Sequence, residues 1–273
     1  MNTYDSHMHS ENSHDGRFSV DEIAETAIDM GLKGITVTDH FDCELYKCKN
    51  DFMHIYKSCA DIEKASEKYE LEIYKGAEIG DWMYAKENGN YCIRTCNFDF
   101  ILASLHSSST GRRAVNGFKS YKSFLVTNYE DDIRFLDLFF KNLKYTVLNA
   151  DYDAVAHLTY PLRYLNGMCN KNMTLDNYEK DIEDILKIII EREKALEINT
   201  SGFKNSLNDT MPYEKIIRQY YDMGGRLITV GSDAHKPEHI ALGFDKTFKM
   251  LKNIGFENYY IYKSRKPVPV SIL

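Results

Sequence analysis

From end to end the chain alternates short apolar runs with helix-patterned segments, and this restricts it to a parallel sheet whose crossover helices cover its faces. Seven runs read as strands: one within Thr3–Ser10, then Gly34–Asp39, Leu71–Gly76, Asp99–Leu105, Ala154–Ala156, Ala195–Asn199 and Leu227–Val230. The helix signals between them are explicit. Ser19-Val20-Asp21-Glu22 has the S-x-x-E form of a capping box, and Val20, Ile23, Ala24, Ala27 and Met30 make the stripe that follows, with Gly31 placed to stop it. Further helices are expected over Phe52–Tyr69, Tyr121–Leu143 and Leu175–Lys194, from Pro212 to Met223, and over Ala241–Ile254. Ser107–Lys119 reads as a polar loop over one end of the fold, and the chain closes on a Tyr/Lys tail with Pro267 and Pro269. With no internal repeat or linker, residues 1–273 are expected to form one domain.

What stands at the strand ends narrows the fold further. In chain order these residues are His7 and His9, His40, Glu78, His106, His157, Asn199, and Asp233 with His235, so six of the seven ends carry a metal-ligand type. On a strand His7 and His9 project to the same side, which makes them half of a divalent-cation site. An open sheet would string the strand ends along a line, whereas a closed or nearly closed barrel gathers them on one face. Imidazole and carboxylate donors without thiolate suit Zn, Mn or Fe. So many ligands exceed the coordination of one ion and require two or three, bridged by at least one carboxylate. A cluster of this kind acidifies a bridging water and clamps an oxyanion, the equipment for hydrolysing phosphate esters.

Composition removes other classes. A net charge of −7 argues against a nucleic-acid platform but leaves room for a small phosphorylated substrate. No apolar run suits a membrane span and the N-terminus lacks a signal pattern, so a cytoplasmic protein without a membrane partner is expected. Six cysteines (Cys43, Cys48, Cys59, Cys92, Cys96 and Cys169) lack paired zinc-finger spacing and read as reduced thiols. Oligomeric state stays open.

Several motifs carry a family resemblance over nearly the full length: D-S-H-M-H-S at Asp5–Ser10, T-D-H at Thr38–His40, G-A-E ending at Glu78, S-L-H at Ser104–His106, A-H-L at Ala156–Leu158, L-E-I-N-T-S-G at Leu196–Gly202, and G-S-D-A-H at Gly231–His235. Together they resemble the PHP (polymerase and histidinol phosphatase) family, specifically its stand-alone histidinol-phosphatases. The resemblance implies a distorted (β/α)7 barrel with parallel strands and a trinuclear metal site at the C-terminal face. Carried over by motif, His7, His9 and Asp233 hold one ion. Glu78 bridges to a second ion completed by His106 and His157, and His40, His235 and Asp15 hold a third, with His14 the competing choice for Asp15. The implied activity is hydrolysis of L-histidinol phosphate in histidine biosynthesis. Nucleotide, oligonucleotide or phosphotyrosine substrates, or a non-catalytic metal-binding domain, are the alternatives.

Phosphate recognition asks for cationic donors, and Arg is best suited to it. Arg163 is the first candidate and Arg17 the second. Many relatives carry an Arg shortly after N-T-S-G, where this chain has Phe203-Lys204, so Lys204 becomes a weaker clamp. In the implied reaction Glu78 and Asp233 hold the attacking hydroxide, and His235 or Asp15 protonates the departing alkoxide. Asp5 and Asp39 are expected to fix imidazole orientation, Asn199 and Ser201 to contact substrate or cap the strand, and His54 and His239 to be ordinary histidines.

Overall fold

The computed structural model describes residues 3–45, 52–106 and 125–272. Its strands are β1 (Tyr4–Met8), β2 (Gly34–Val37), β3 (His40–Asp42), β4 (Glu72–Gly80), β5 (Phe100–Ser104), β6 (Ala154–Val155), β7 (Ala195–Asn199), β8 (Ile228–Gly231), β9 (Asn258–Lys263) and β10 (Lys266–Ser271). Helices α1 (Val20–Asp29), α2 (Met53–Lys68), α3 (Lys86–Ile93), α4 (Tyr129–Asn149), α5 (Pro161–Leu165), α6 (Glu179–Glu191), α7 (Glu214–Asp222) and α8 (Phe244–Ile254) lie between them. The expected loop Ser107–Lys119, the start of the expected helix at Tyr121, and Cys48 lie outside the described residues.

All pairings in the main sheet are parallel, in the order β1-β2-β4-β5-β6-β7-β8, with β3 beside β4. β2 pairs with the first half of β4 (Gly34↔Glu72) and β3 with the second half (His40↔Glu78), so the two are one barrel position interrupted at Thr38-Asp39. The sequence predicts a single strand there. The sheet closes through its C-terminal ends: Met8 bridges Ala234, His9 N donates to Ala234 O at 2.9 Å, and Asp233 N donates to His7 O at 2.8 Å. Closure at one end, with a two-residue β6, is the distortion of this (β/α)7 barrel. It also draws His7, His9 and Asp233 together.

Local chemistry explains the elements that carry the site. Ser19 caps α1 by accepting from Glu22 N at 3.2 Å, while the Glu22 carboxylate accepts from Ser19 N at 2.8 Å. Gly31, at φ +72°, then takes the left-handed turn that releases the chain into β2. On α6 the stripe Ile182, Ile185, Leu186 and Ile189 is buried, each side chain contributing about 1.5–3 kcal/mol on burial. These helices press the sheet from outside and leave its C-terminal rim to the polar residues.

Two findings correct the sequence reading. The tail containing Pro267 and Pro269 is no loose end: β9 and β10 form an antiparallel hairpin, with Pro267 opposite Tyr262 and Pro269 opposite Tyr260. Prolines are tolerated because β10 pairs on one side only. The hairpin covers the N-terminal end of the barrel, where Tyr259 Oη accepts from Tyr4 N at 2.9 Å and Arg265 binds Asp151 (2.9 Å) and the buried Asp153. Arg265→Ala is expected to cost about 2–3 kcal/mol, less than a fully buried pair because Arg265 keeps some water contact. Chemical denaturation checks this, and unchanged stability would contradict the covering role.

The second correction concerns the cysteines. Cys59 on α2 and Cys96 after α3 form a disulfide, while the buried Cys43 and Cys92 keep free thiols. Reduced thiols are the reading from spacing alone, and 37 residues separate this pair. Only tertiary packing brings the two elements side by side. No helix among the described residues is long and apolar enough to cross a membrane.

Candidate metal centre

Glu78, fully buried on β4, is the centre around which the rim is arranged. Its Oε1 lies 2.8 Å from His157 Nε2 and 3.0 Å from His106 Nε2. Its Oε2 lies 3.0 Å from His40 Nδ1, 3.3 Å from His7 Nε2 and 3.4 Å from His9 Nε2. Five imidazoles from four strands, β1, β3, β5 and β6, therefore face one carboxylate. His7 and His9 Nε2 are 3.1 Å apart, as the alternation of β1 requires.

The remaining predicted ligands complete the ring. Asp233 Oδ1 is 3.3 Å from His9 Nε2, 3.4 Å from His235 Nδ1 and 3.8 Å from His7 Nε2. Asp15 Oδ2 is 3.0 Å from His235 Nε2 and 3.6 Å from His40 Nε2. His14 stays half-exposed, 3.9 Å from Asp15, so Asp15 is the one aimed between the imidazoles. Four sets bring ligand atoms within 4.8 Å of one another: His7–His9–Asp233, Glu78–His106–His157, His9–His40–His235 and His40–Asp42–His106.

Strain marks two of these positions. His157 and Asp233 have φ of +27° and +51°, a left-handed backbone costing a non-glycine residue about 1–3 kcal/mol. Each is held by its own N–H: His157 N donates to Glu197 Oε2 (2.7 Å) and Asp233 N to His7 O. The geometry turns both side chains inward.

The supporting carboxylates are not all the predicted ones. Asp39, fully buried, accepts from Ser10 N (2.6 Å), Ser10 Oγ (2.7 Å), Ser13 Oγ (3.0 Å) and Ser58 Oγ (2.6 Å). Asp5 accepts from Ser232 N and Ala241 N, each at 2.9 Å. Both hold the backbone of loops that carry candidate ligands; neither holds an imidazole. The imidazoles are oriented by Glu197, 2.5 Å from His7 Nδ1, and by Asp42, 2.8 Å from His106 Nδ1. Glu197 stands within L-E-I-N, where alternation from Asn199 already aimed it at the barrel interior. Asp42, two residues past His40, had no such signal.

A cavity of about 190 Å³ opens over the cluster, lined also by Tyr160, Arg163, Tyr164, Lys204, Lys236 and His239. Arg163 Nη1 donates to Asp233 Oδ2 at 3.0 Å, and its buried Nε has no hydrogen-bond partner among the described residues. Lys204 Nζ donates to Asp233 O at 2.6 Å, and burial lowers its pKa to about 8. Arg17, by contrast, is exposed and is not among the lining residues. His239 lines the cavity but belongs to none of the four ligand sets, and His54 Nε2 donates to the His40 carbonyl oxygen at 3.1 Å. Asn199 accepts from Ser201 N (3.0 Å), and Ser201 Oγ lies 3.2 Å from Asp233 Oδ2, so both brace Asp233 from below.

The donor set fits divalent cations. Because Glu197 and Asp42 can only accept, the Nδ1 atoms of His7 and His106 carry the protons and their Nε2 lone pairs face Glu78. His40 Nδ1 is buried without a hydrogen bond among the described residues although Glu78 Oε2 is 3.0 Å away. With neutral rings, lone pairs on the imidazoles would face carboxylate oxygens, so the set requires positive charge between them. The electrostatics agree: burial works to lower the His40 pKa, but Glu78 and Asp15 outweigh it and push it up to about 10. Burial likewise opposes ionisation of Glu78, yet His106, His40 and His7 hold its carboxyl well below the usual range. Protons or metal ions must neutralise this pocket.

Barrel and pocket together define a (β/α) protein with a multi-ligand imidazole–carboxylate site at the C-terminal face. The PHP domain profile matches residues 5–201, and the chain belongs to that family. It is 30% identical, over 98% of its length and 99% of the relative's, to a protein described as a probable histidinol-phosphatase from Thermotoga maritima. It is 26% identical to the histidinol-phosphatase of Lactococcus lactis, covering 97% of this chain and 96% of that one. In structure it resembles the histidinol phosphate phosphatase of Lactococcus lactis complexed with zinc, L-histidinol and phosphate, with a TM-score of 0.75 at 23% identity, covering 97% of this chain and 98% of that chain.

Proposed function

We propose that this chain is a metal-dependent phosphomonoesterase that hydrolyses L-histidinol phosphate to L-histidinol and phosphate, working as a single domain in the cytoplasm. The observation that carries the reading is the gathering of five imidazoles on Glu78 directly beneath a cavity edged by Arg163 and Lys204. Full-length similarity to named histidinol-phosphatases supports the substrate.

His7, His9 and Asp233 would hold one ion, Glu78 with His106 and His157 a second, and His40, His235 and Asp15 a third. Two or three Zn, Mn or Fe ions bound there supply Lewis acidity and lower the pKa of water, so that a nucleophile exists at neutral pH. The protein's own groups do the rest. Arg163 is fixed by Asp233 through Nη1 and offers its remaining terminal N–H groups to the non-bridging phosphate oxygens. Lys204, held by the Asp233 carbonyl oxygen, adds a single charge to the same cavity. With two ions bound and the third position empty, His235 or Asp15 would be left at the open rim to protonate the departing alkoxide. Arg17 contributes at most long-range charge from outside the pocket.

Histidinol phosphate, p-nitrophenyl phosphate and a 3′-phosphorylated oligonucleotide assayed side by side test the reading. Preference for histidinol phosphate is expected; preference for the oligonucleotide overturns the substrate. Arg163→Ala should lower kcat/KM by about 10²–10³-fold, as loss of a preorganised oxyanion donor does. Arg163→Lys should restore only part of it, because a point charge cannot replace the planar fork. Wild-type kinetics in both variants would remove Arg163 from the phosphate site.

A further inference from the structure

The broken strand at β2–β3 leaves one buried carboxylate that the reaction above does not use. Asp42, at the end of β3, is 8% exposed, and its Oδ1 lies 2.8 Å from His106 Nδ1, on the side of the ring away from Glu78. A second observation shows that the contact is built into the fold. In register Asp42 lies beside Gly80 of β4, and Gly80 beside Ser104 of β5. A Cβ on Gly80 would sit 2.2 Å from Asp42 Oδ1 and 3.0 Å from His106 Nδ1, so only glycine leaves room for the pair. The backbone of His106 is pinned separately, its N–H donating to Asp81 Oδ1 at 3.0 Å.

We infer that Asp42 is a positioning residue: through the His106 Nδ1–H it fixes the tautomer and tilt of that ring, and occupancy of the Glu78–His106–His157 cation position depends on it. A carboxylate accepting from Nδ1 leaves the Nε2 lone pair free and makes it a better donor, and loss of such a partner typically weakens a metal site by about 10–100-fold. Asp42 does this for one position only. His7, of the His7–His9–Asp233 set, is oriented by Glu197, which lies on β7. Rim and floor of the cluster therefore have separate supports, and the two can be weakened independently. The inference rests on the proposed metal dependence but not on the identity of the substrate.

The test measures metal directly. Asp42→Ala and Asp42→Asn proteins, with circular dichroism confirming the fold, are reloaded with Zn or Mn and titrated against a competing chelator, and bound metal is counted by mass spectrometry. Asp42→Ala should show one class of site weakened by about 10–100-fold with the others unchanged. Its turnover should recover as free metal is raised. Asp42→Asn, which keeps an accepting oxygen, should lie between it and wild type. Gly80→Ala, which pushes a methyl group into the pair while leaving the carboxylate in place, should weaken the same class. Wild-type stoichiometry and affinity in Asp42→Ala, or equal weakening of every site, overturns the inference. A wild-type protein that binds its metals yet hydrolyses no phosphomonoester would instead overturn the proposed function, and the metal counts would still judge Asp42.

Discussion

Glu78→Ala is expected to abolish turnover and strip bound metal together, with a loss well beyond the about 100-fold that removal of a supporting residue can cause. The reason lies in the number of partners. Its two oxygens stand within 3.4 Å of His7, His9, His40, His106 and His157, so its loss leaves five imidazoles facing one another with no anion between them. Cation binding then has to overcome their mutual crowding without a bridging ligand. Metal analysis and single-turnover kinetics on the purified variant, with circular dichroism to confirm the fold, check this. A variant that keeps wild-type turnover would remove the bridging role.

Stripping the metals should have the second largest effect, and its pH dependence follows from the same charges. Chelation should end activity, and returning Zn, Mn or Fe should restore it. In the metal-free protein His40 has its pKa raised to about 10, Glu78 and Asp15 outweighing its burial, against an ordinary value of 6.5. A group raised on folding stabilises the folded state fully below its unfolded pKa and loses that contribution as pH climbs toward the folded one. The metal-free protein should therefore become less stable between about pH 6.5 and 10, while the loaded protein is spared because the cation replaces the proton. Metal must displace protons, so apparent affinity should fall as pH is lowered from 8 to 6. Thermal unfolding of both forms across this range, and calorimetry in buffers of different ionisation enthalpy, measure it. Metal uptake without proton release would show that the pocket holds no displaceable protons.

The comparison between chain and structure turns on distance along the sequence. The capping box at Ser19, the stripe on α6 and the alternation that aims His7 and His9 together are local, set by residues within a few positions of one another. The candidate ligands at strand ends are legible for a related reason: a parallel βα repeat delivers every strand's C-terminal end to one face, so order along the chain already implies convergence in space. Asp42 and Glu197 escaped that logic. Their partners His106 and His7 lie 64 and 190 residues away, and which carboxylate meets which ring depends on barrel register. Asp5 and Asp39 show the converse, since adjacence to a ligand in sequence led them to the backbone of its loop and not to its ring.

By itself the sequence determined the parallel βα architecture and the metal-ligand types at its strand ends, because each strand and its end residue are read within one βα unit, and their sum over seven units pointed to phosphate-ester chemistry. Only the tertiary structure decided where the sheet closes, that β9 and β10 cover its other end, that Cys59 meets Cys96, and that Arg17 stays outside the pocket while Lys204 and His239 line it. Those features arise from contacts between units distant in the chain, and their geometry is set by how all the strands tilt and pack at once.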